Sequence, residues 1–138
     1  MENKIKDFIK EGVHYCSVFN LEDSEEGLTF ISSDDKYIQV GIWNYKKGKS
    51  LEAHYHNEFD RNATRTSESV YVVKGKIVSK VYDLDKNLIC EVVLNKGELI
   101  VQYEGIHEYS ILENALVLEN KNGPYFGPEK DRTRVEIE

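Results

Sequence analysis

The feature that most constrains the fold is a series of short segments in which apolar and polar residues alternate. After Ser69 these are VYVV continuing into IVSKVYD, then LICEVVL, ELIVQYE and EYSILENALVLENK, with DLDKN and NKG as turns. GLTFIS, KYIQVGIWNY and SLEAHYH precede them. Alternation places successive side chains on opposite faces of a strand, and many short strands favour a sandwich or barrel over alternating strands and helices. We therefore predict an all-β fold.

The two ends of the chain differ from this pattern. Ile5, Phe8 and Ile9 have the spacing of a helix face, and Gly12 is a stop signal. We predict a short N-terminal helix or arm within residues 1–20, a main domain over 21–128, and a charged tail or edge strand over 129–138.

Composition narrows the class of partner. The chain has 138 residues, enough for one core, and a formal net charge of −7, which disfavours nucleic acid and anionic membranes as main partners. The start, MENKIKDFIKEG, lacks the apolar run of a signal peptide, and no run reaches the length of a membrane span. Cys16 and Cys90 belong to no motif and are expected as reduced thiols. We expect a cytoplasmic protein that binds neither nucleic acid nor membrane.

Two histidines, His54 and His56, lie two residues apart in SLEAHYH. On a strand such residues share a face and are separated by about 6.5 Å along the chain, so both imidazoles can converge on one ion. The spacing alone equally allows two polar residues on the wet face of a sheet. His14 and Cys16 have the same spacing and form a second, weaker ligand pair or no site at all.

The residues around the histidine pair resemble a known family. Gly48 is followed by five residues and then His54-Tyr55-His56, and Glu68 by six residues and then Gly75. Gly97 is followed by five residues and then YEGIH, which ends at His107. These spacings resemble the two motifs of the cupin superfamily. In this chain eleven residues separate His56 from Glu68, Tyr103 stands in place of a proline, and Ile111 stands in place of an asparagine.

The resemblance implies a fold and a metal centre. The fold is a small antiparallel jelly-roll β-barrel, and the long gap before Glu68 would extend a loop at its mouth. The implied ligands of one divalent transition metal ion, Zn, Fe, Mn or Ni, are His54, His56, Glu68 and His107. Neutral imidazoles with one carboxylate suit such ions.

Strand alternation extends this site. If Glu68 faces inward, Val70 and Val72 do so as well, while Tyr71 and Val73 face outward. By the same rule His107 shares its face with Tyr109 and Ile111.

Other polar residues are candidates for substrate contacts and proton transfer. Arg61 and Arg65 lie in the long loop, where they could hold a carboxylate or phosphate or simply be solvated. Tyr103 is a further substrate-binding candidate. The candidates for acid or base chemistry are Tyr103, Tyr109, Glu119 and Lys121.

Three functional hypotheses follow. The first is a metal-dependent enzyme acting on a small polar molecule, sugar-like or carboxylate-bearing, with isomerase, oxygenase and lyase chemistry all open. The second is a non-catalytic module that binds or senses a small ligand. The third is a structural barrel that mainly dimerises. In each case we expect a homodimer.

Overall fold

A computed structural model describes residues 4–138, and its regular structure is almost entirely antiparallel strand, which confirms the all-β prediction. Within that range there are eight strands: β1 (Lys6–Lys10), β2 (Val13–Asn20), β3 (Gly27–Phe30), β4 (Gly41–Asn44), β5 (Glu68–Tyr82), β6 (Leu88–Asn95), β7 (Glu98–Gln102) and β8 (Ile106–Lys121). A 3-10 turn covers Leu21–Asp23, and a short helix, α1, covers Pro128–Asp131.

Six of the strands form one sheet. Five follow the order β1-β2-β7-β5-β6, and β8 pairs with the other side of β5. β3 and β4 form a separate hairpin. The longest pairing is that of β5 with β8, which runs from Glu68 opposite Lys121 to Tyr82 opposite Ile106. The four segments that follow Ser69 are therefore strands, as predicted. The finer assignment, a closed jelly-roll barrel, stays a prediction.

The ribbon of β5 and β8 bends back on itself. Val81 is the register partner of His107 and lies 13 residues after Glu68, a distance of about 43 Å in a straight strand. Yet the side chains of Glu68 and His107 are in contact, at 3.1 Å. The register of β5 against β8 is irregular between Val72 and Ile77. The bend therefore lies in the middle of the ribbon and brings its two ends together.

Gly75 marks the bend. Its φ is +90°, and a side chain there would meet the backbone of Asn114 and Ala115 on β8. Before Gly75 the buried residues include Glu68, Val70 and Val72, and after it they include Ile77, Ser79 and Val81. A β-bulge shifts the alternation by one residue, which accounts for the switch of the buried positions from even to odd residue numbers. It also increases the local twist, which accounts for the bend.

Each face of the main sheet packs against its own apolar cluster. The inner cluster lies within the bend and consists of Cys16, Val18, Val70, Val72, Ile77, Val81, Cys90, Leu94 and Ile100. The outer cluster lies on the opposite face and consists of Phe19, Ile31, Ile42, Leu99, Val101 and Tyr103. The predicted alternation in β5 is confirmed: Val70 and Val72 belong to the inner cluster, whereas Tyr71 packs against the outer one.

The predicted N-terminal helix is wrong. Lys6–Lys10 is a strand that forms a hairpin with β2. Glu11 and Gly12 both have positive φ, as a two-residue hairpin turn requires. Ile5 packs against the outer cluster and Phe8 against the inner one. Residues three apart lie on opposite faces of a strand. The spacing that suggested a helix therefore allows Ile5 and Phe8 to pack against different clusters. The first three residues of the predicted arm lie outside the described residues.

The predicted strand SLEAHYH is also wrong. Residues 45–67, here called the 45–67 segment, have no strand, and residues 46–66 are all exposed. The only regular structure within the predicted tail is part of α1, and residues 132–138 follow without any. Within residues 4–138 no helix has both the length and the apolar character that a membrane crossing requires.

Candidate functional site

The centre of the candidate site is the contact between Glu68 and His107. Nε2 of His107 lies 3.1 Å from Oε1 of Glu68. Glu68 begins β5 and is buried, while the imidazole of His107, at the start of β8, is 41% exposed. Two of the four predicted ligands, 39 positions apart in the chain, are therefore adjacent at a point that solvent reaches from the His107 side.

Two further charged residues surround this pair. Lys121 is the register partner of Glu68 on β8, and Glu119 is the partner of Val70, so both share the inner face. The carboxyl of Glu119 hydrogen-bonds to that of Glu68, which raises the pKa of Glu119. Burial disfavours the charged form of Glu68, but the hydrogen bonds from His107 and Glu119 outweigh it, and the pKa of Glu68 is lowered. Of the two carboxyls, Glu68 therefore loses its proton more readily than Glu119.

Behind the charged residues lie buried polar atoms without partners. In the described part of the chain, the hydroxyls of Ser79 and Tyr109 and both amide atoms of Gln102 are buried with no hydrogen bond. Gln102 is the register partner of Glu68, and Ser79 is the partner of Tyr109. The Tyr109 ring centre is 5.8 Å from that of His107, and burial, together with the charge of Glu68, raises the Tyr109 pKa. Buried polar groups are normally paired, so these atoms mark a place for water, an ion or a polar ligand.

Gln102 and Ser79 were not among the residues singled out from the sequence. Ser79 is a polar residue inside the apolar run IVSKVYD, which is a usable signal. Gln102 had none, because its importance comes from its register opposite Glu68, and register across a sheet is not visible in one strand's sequence.

The other two predicted ligands lie elsewhere. His54 and His56 are exposed in the 45–67 segment, with ring centres 5.1 Å apart. Nδ1 of His54 donates to the carbonyl oxygen of Glu52 at 2.9 Å, so that in the neutral imidazole Nε2 is the nitrogen available to a metal. Over residues 4–138, however, no group of three or more His, Cys, Asp or Glu side chains is arranged to hold a metal ion. The four predicted ligands thus form two separate pairs.

The predicted substrate-binding residues have structural contacts instead. Arg65 forms an ion pair with Glu104 and lies over the ring of Tyr37. Arg61 lies over the ring of Phe59, 3.9 Å from its centre, within the exposed segment. The structure does not bring either arginine to the Glu68–His107 pair.

Tyr103 lies on the other face of the sheet. It is 2% exposed within the outer cluster, and its ring centre is 4.7 Å from that of His14. Nε2 of His14 contacts Oγ of Ser17 at 3.0 Å and Oδ1 of Asp7 at 3.2 Å. Cys16 faces the inner cluster, so His14 and Cys16 do not form a ligand pair.

The group of Asp7, His14 and Ser17 has the residue types of a catalytic triad but not its geometry. One nitrogen of His14 contacts both partners, and Ser17 donates its proton to Asp7 at 2.6 Å. A triad requires the carboxylate on the far nitrogen of the imidazole. Ser17 is also fully buried, so a substrate cannot reach it.

Comparison with known proteins adds no assignment: no protein-family model, curated protein or solved structure matches the chain.

Proposed function

We propose that this protein is a small cupin that binds one divalent transition metal ion, Zn, Fe, Mn or Ni, and acts on a small polar molecule. The ligands would be Glu68, His107, His54 and His56. The observation that carries the proposal is the contact between Glu68 and His107, because two residues chosen for their motif positions meet although they lie at opposite ends of a long ribbon. We further propose a cytoplasmic homodimer with a jelly-roll barrel.

The donor atoms of Glu68 and His107 have a spacing that suits a shared ion. Two ligands bonded at about 2.1 Å to one ion are about 3.0–3.4 Å apart for angles between octahedral and tetrahedral. The observed separation of 3.1 Å falls in that range. A bound ion would act as a Lewis acid or as an oxygen-binding centre. The third and fourth donors would be His54 and His56, which lie on the exposed 45–67 segment.

The surrounding residues support a polar substrate. The unpaired amide of Gln102 and hydroxyl of Tyr109 offer donors and acceptors for hydroxyl or carbonyl groups. Lys121, at the edge of the site, would attract a carboxylate. Glu119 is the side chain placed to give or take a proton beside Glu68. These contacts fit a sugar-like or carboxylate-bearing molecule, and the reaction type stays open among isomerase, oxygenase and lyase chemistry.

A second candidate function is the binding or sensing of a small ligand without catalysis. The observation that favours it is the set of unpaired buried atoms of Ser79, Gln102 and Tyr109. These can bind a neutral polar molecule without an ion.

The deciding experiment is the metal content of untagged protein, measured by plasma mass spectrometry after reconstitution. We expect about one equivalent of a transition metal per chain in the wild type. We expect its loss in a His54→Ala/His56→Ala double variant and in Glu68→Ala.

The matched control is His14→Ala, which removes the one histidine outside the proposed ligand set and should leave the metal content unchanged. A wild type that binds no metal would remove the metal centre, and the ligand-binding function would then take first place.

A further inference from the structure

The four predicted ligands form two half-sites on one chain. Glu68 and His107 are fixed by the sheet and open to solvent on the His107 side. His54 and His56 are paired on an exposed segment, with Nε2 of His54 free to bind a metal. Each half supplies two ligands, and a transition-metal centre in a protein takes at least three. Each half-site is therefore incomplete by itself.

The 45–67 segment has the pattern of a strand that lacks a partner. Leu51, Ala53 and Tyr55 alternate with Glu52, His54 and His56, so an extended backbone would place the apolar residues on one face and the histidines on the other. Three large apolar side chains of the segment are exposed: Leu51 by 46%, Tyr55 by 85% and Phe59 by 64%. An amphipathic strand of this kind is stable only when a second surface covers its apolar face.

The segment is attached to the domain near its two ends. Lys46 forms an ion pair with Glu26 at the N-terminal end, and further contacts lie at the C-terminal end. Arg65 pairs with Glu104, Thr66 bonds to Asp131, and Ser67 donates to Asn122. Of the contacts formed by residues 4–138, those of residues 49–63 join only residues within 45–63. The part that carries both histidines is therefore available for another surface.

Strand β8 offers such a surface. Among residues 4–138 it pairs only with β5, and none of them pairs with its other edge. Four large apolar residues along it are about half exposed or more: Ile111, Leu112, Leu116 and Leu118. The charges are complementary as well. β8 has three acidic residues and one lysine, a net charge of −2, whereas the 45–67 segment has five basic and three acidic residues, a net charge of +2 in a chain of −7.

We propose that a second copy of this chain supplies the missing half-site. The 45–67 segment of one copy lies along β8 of the other, and its His54 and His56 complete the metal centre begun by Glu68 and His107. A two-fold axis makes the exchange reciprocal, so that the dimer closes and holds two shared centres. In such a dimer the apolar face of the segment and the free edge of β8 are covered in both copies. Both surfaces are exposed in the single chain. The inference rests on the metal centre of the proposed function and adds that the centre lies between subunits.

Complementation between two inactive variants tests this directly. One chain is His54→Ala/His56→Ala, which keeps Glu68 and His107, and the other is Glu68→Ala/His107→Ala, which keeps the histidine pair. The two carry different affinity tags, are refolded together, and are purified through both tags so that only mixed dimers remain. Zinc is the probe, and its content is measured after desalting. Circular dichroism verifies that each variant folds, and Glu68→Gln/His107→Gln provides a second variant that lacks the Glu68–His107 pair.

We expect no tightly bound zinc in either variant alone and about one zinc ion per mixed dimer, since one of its two centres has all four ligands. A wild-type dimer that holds zinc beside mixed dimers that hold none would overturn the shared centre and place all four ligands in one chain. A zinc-loaded wild type that is monomeric by light scattering would overturn it as well. A wild type without zinc would instead refute the proposed function, so the two failures are distinguishable.

Discussion

At the scale of a single residue, the unpaired hydroxyl of Tyr109 is expected to lower stability while it serves ligand binding. A buried hydroxyl without a partner costs free energy, because its hydrogen bonds to water are lost and not replaced. Tyr109 lies beside His107 and opposite Ser79, whose hydroxyl is also unpaired. Groups that destabilise a protein in this way are found where a ligand will later bind.

We predict that Tyr109→Phe leaves the free energy of unfolding of the metal-free protein unchanged or raises it by about 1 kcal/mol. The measurement is urea denaturation followed by fluorescence. Tyr82→Phe is the matched control, because the Tyr82 hydroxyl donates to Oε1 of Glu108 at 2.9 Å and its removal should lower stability. Equal losses in the two variants would show that the Tyr109 hydroxyl has a partner.

The site was predictable from sequence where the chemistry of a residue type and strand alternation were sufficient. Glu68, His107 and Glu119 were selected from motif spacing and chemistry, and the structure brings them together. Arg65 and Tyr103 were selected for plausible chemistry, but their environments depend on long-range packing, on Glu104 and on the outer cluster. A single sequence does not reveal such packing.

At the scale of elements, the bend in β5 decides whether a site exists. Gly75 approaches Asn114 so closely that an added Cβ would lie 2.2 Å from its carbonyl oxygen. Only a residue without a side chain permits both this contact and a φ of +90°.

We predict that Gly75→Ala lowers the free energy of unfolding by about 2–4 kcal/mol and abolishes zinc binding, because the ribbon must straighten or shift. Thermal or urea denaturation measures the first effect and metal analysis the second. Gly48→Ala is the control. Its φ is also positive, at +97°, but a Cβ there would have no neighbour within 4 Å, so only the backbone strain of about 1–2 kcal/mol applies. Similar losses at both positions would argue against a special role for the bend.

The elements themselves were predictable to different degrees. The strands after Ser69 combine clear alternation with turn residues, and all four segments are strands in the structure. The helix prediction for the N-terminal segment was wrong because Ile5 and Phe8 pack against two different clusters, on opposite faces of the sheet. SLEAHYH has the alternation of a strand, but pairing depends on a neighbouring strand, and none of the described residues 4–138 pairs with it.

For the molecule as a whole, the distance between Cys16 and Cys90 shows that the sheet is strongly curved. β2 and β6 are separated by β7 and β5, about 14 Å in a flat sheet. Yet the sulfur atoms of Cys16 and Cys90 lie 3.6 Å apart across the inner cluster. The hydrogen bond between them, together with burial, raises the pKa of Cys16, and the same bond lowers that of Cys90.

We predict that diamide, a thiol oxidant, removes one hydrogen from each thiol and joins Cys16 to Cys90 within one chain. The product should lose the mass of two hydrogen atoms and gain up to about 4 kcal/mol in the free energy of unfolding, the entropic value for a loop of this length. Intact mass spectrometry and urea denaturation measure both effects, with Cys90→Ser as the control. An oxidised protein linked only between chains would contradict the curled arrangement.

The bend at Gly75 also acts as the pivot of a lever. It lies seven positions after Glu68, an arm of about 23 Å, so that a change of about 5° in the bend displaces the carboxylate by about 2 Å. Metal–ligand distances tolerate only about 0.2 Å. Substitutions that change the pivot, although far from the ion and in contact with none of its ligands, would therefore change metal affinity more than many substitutions beside it.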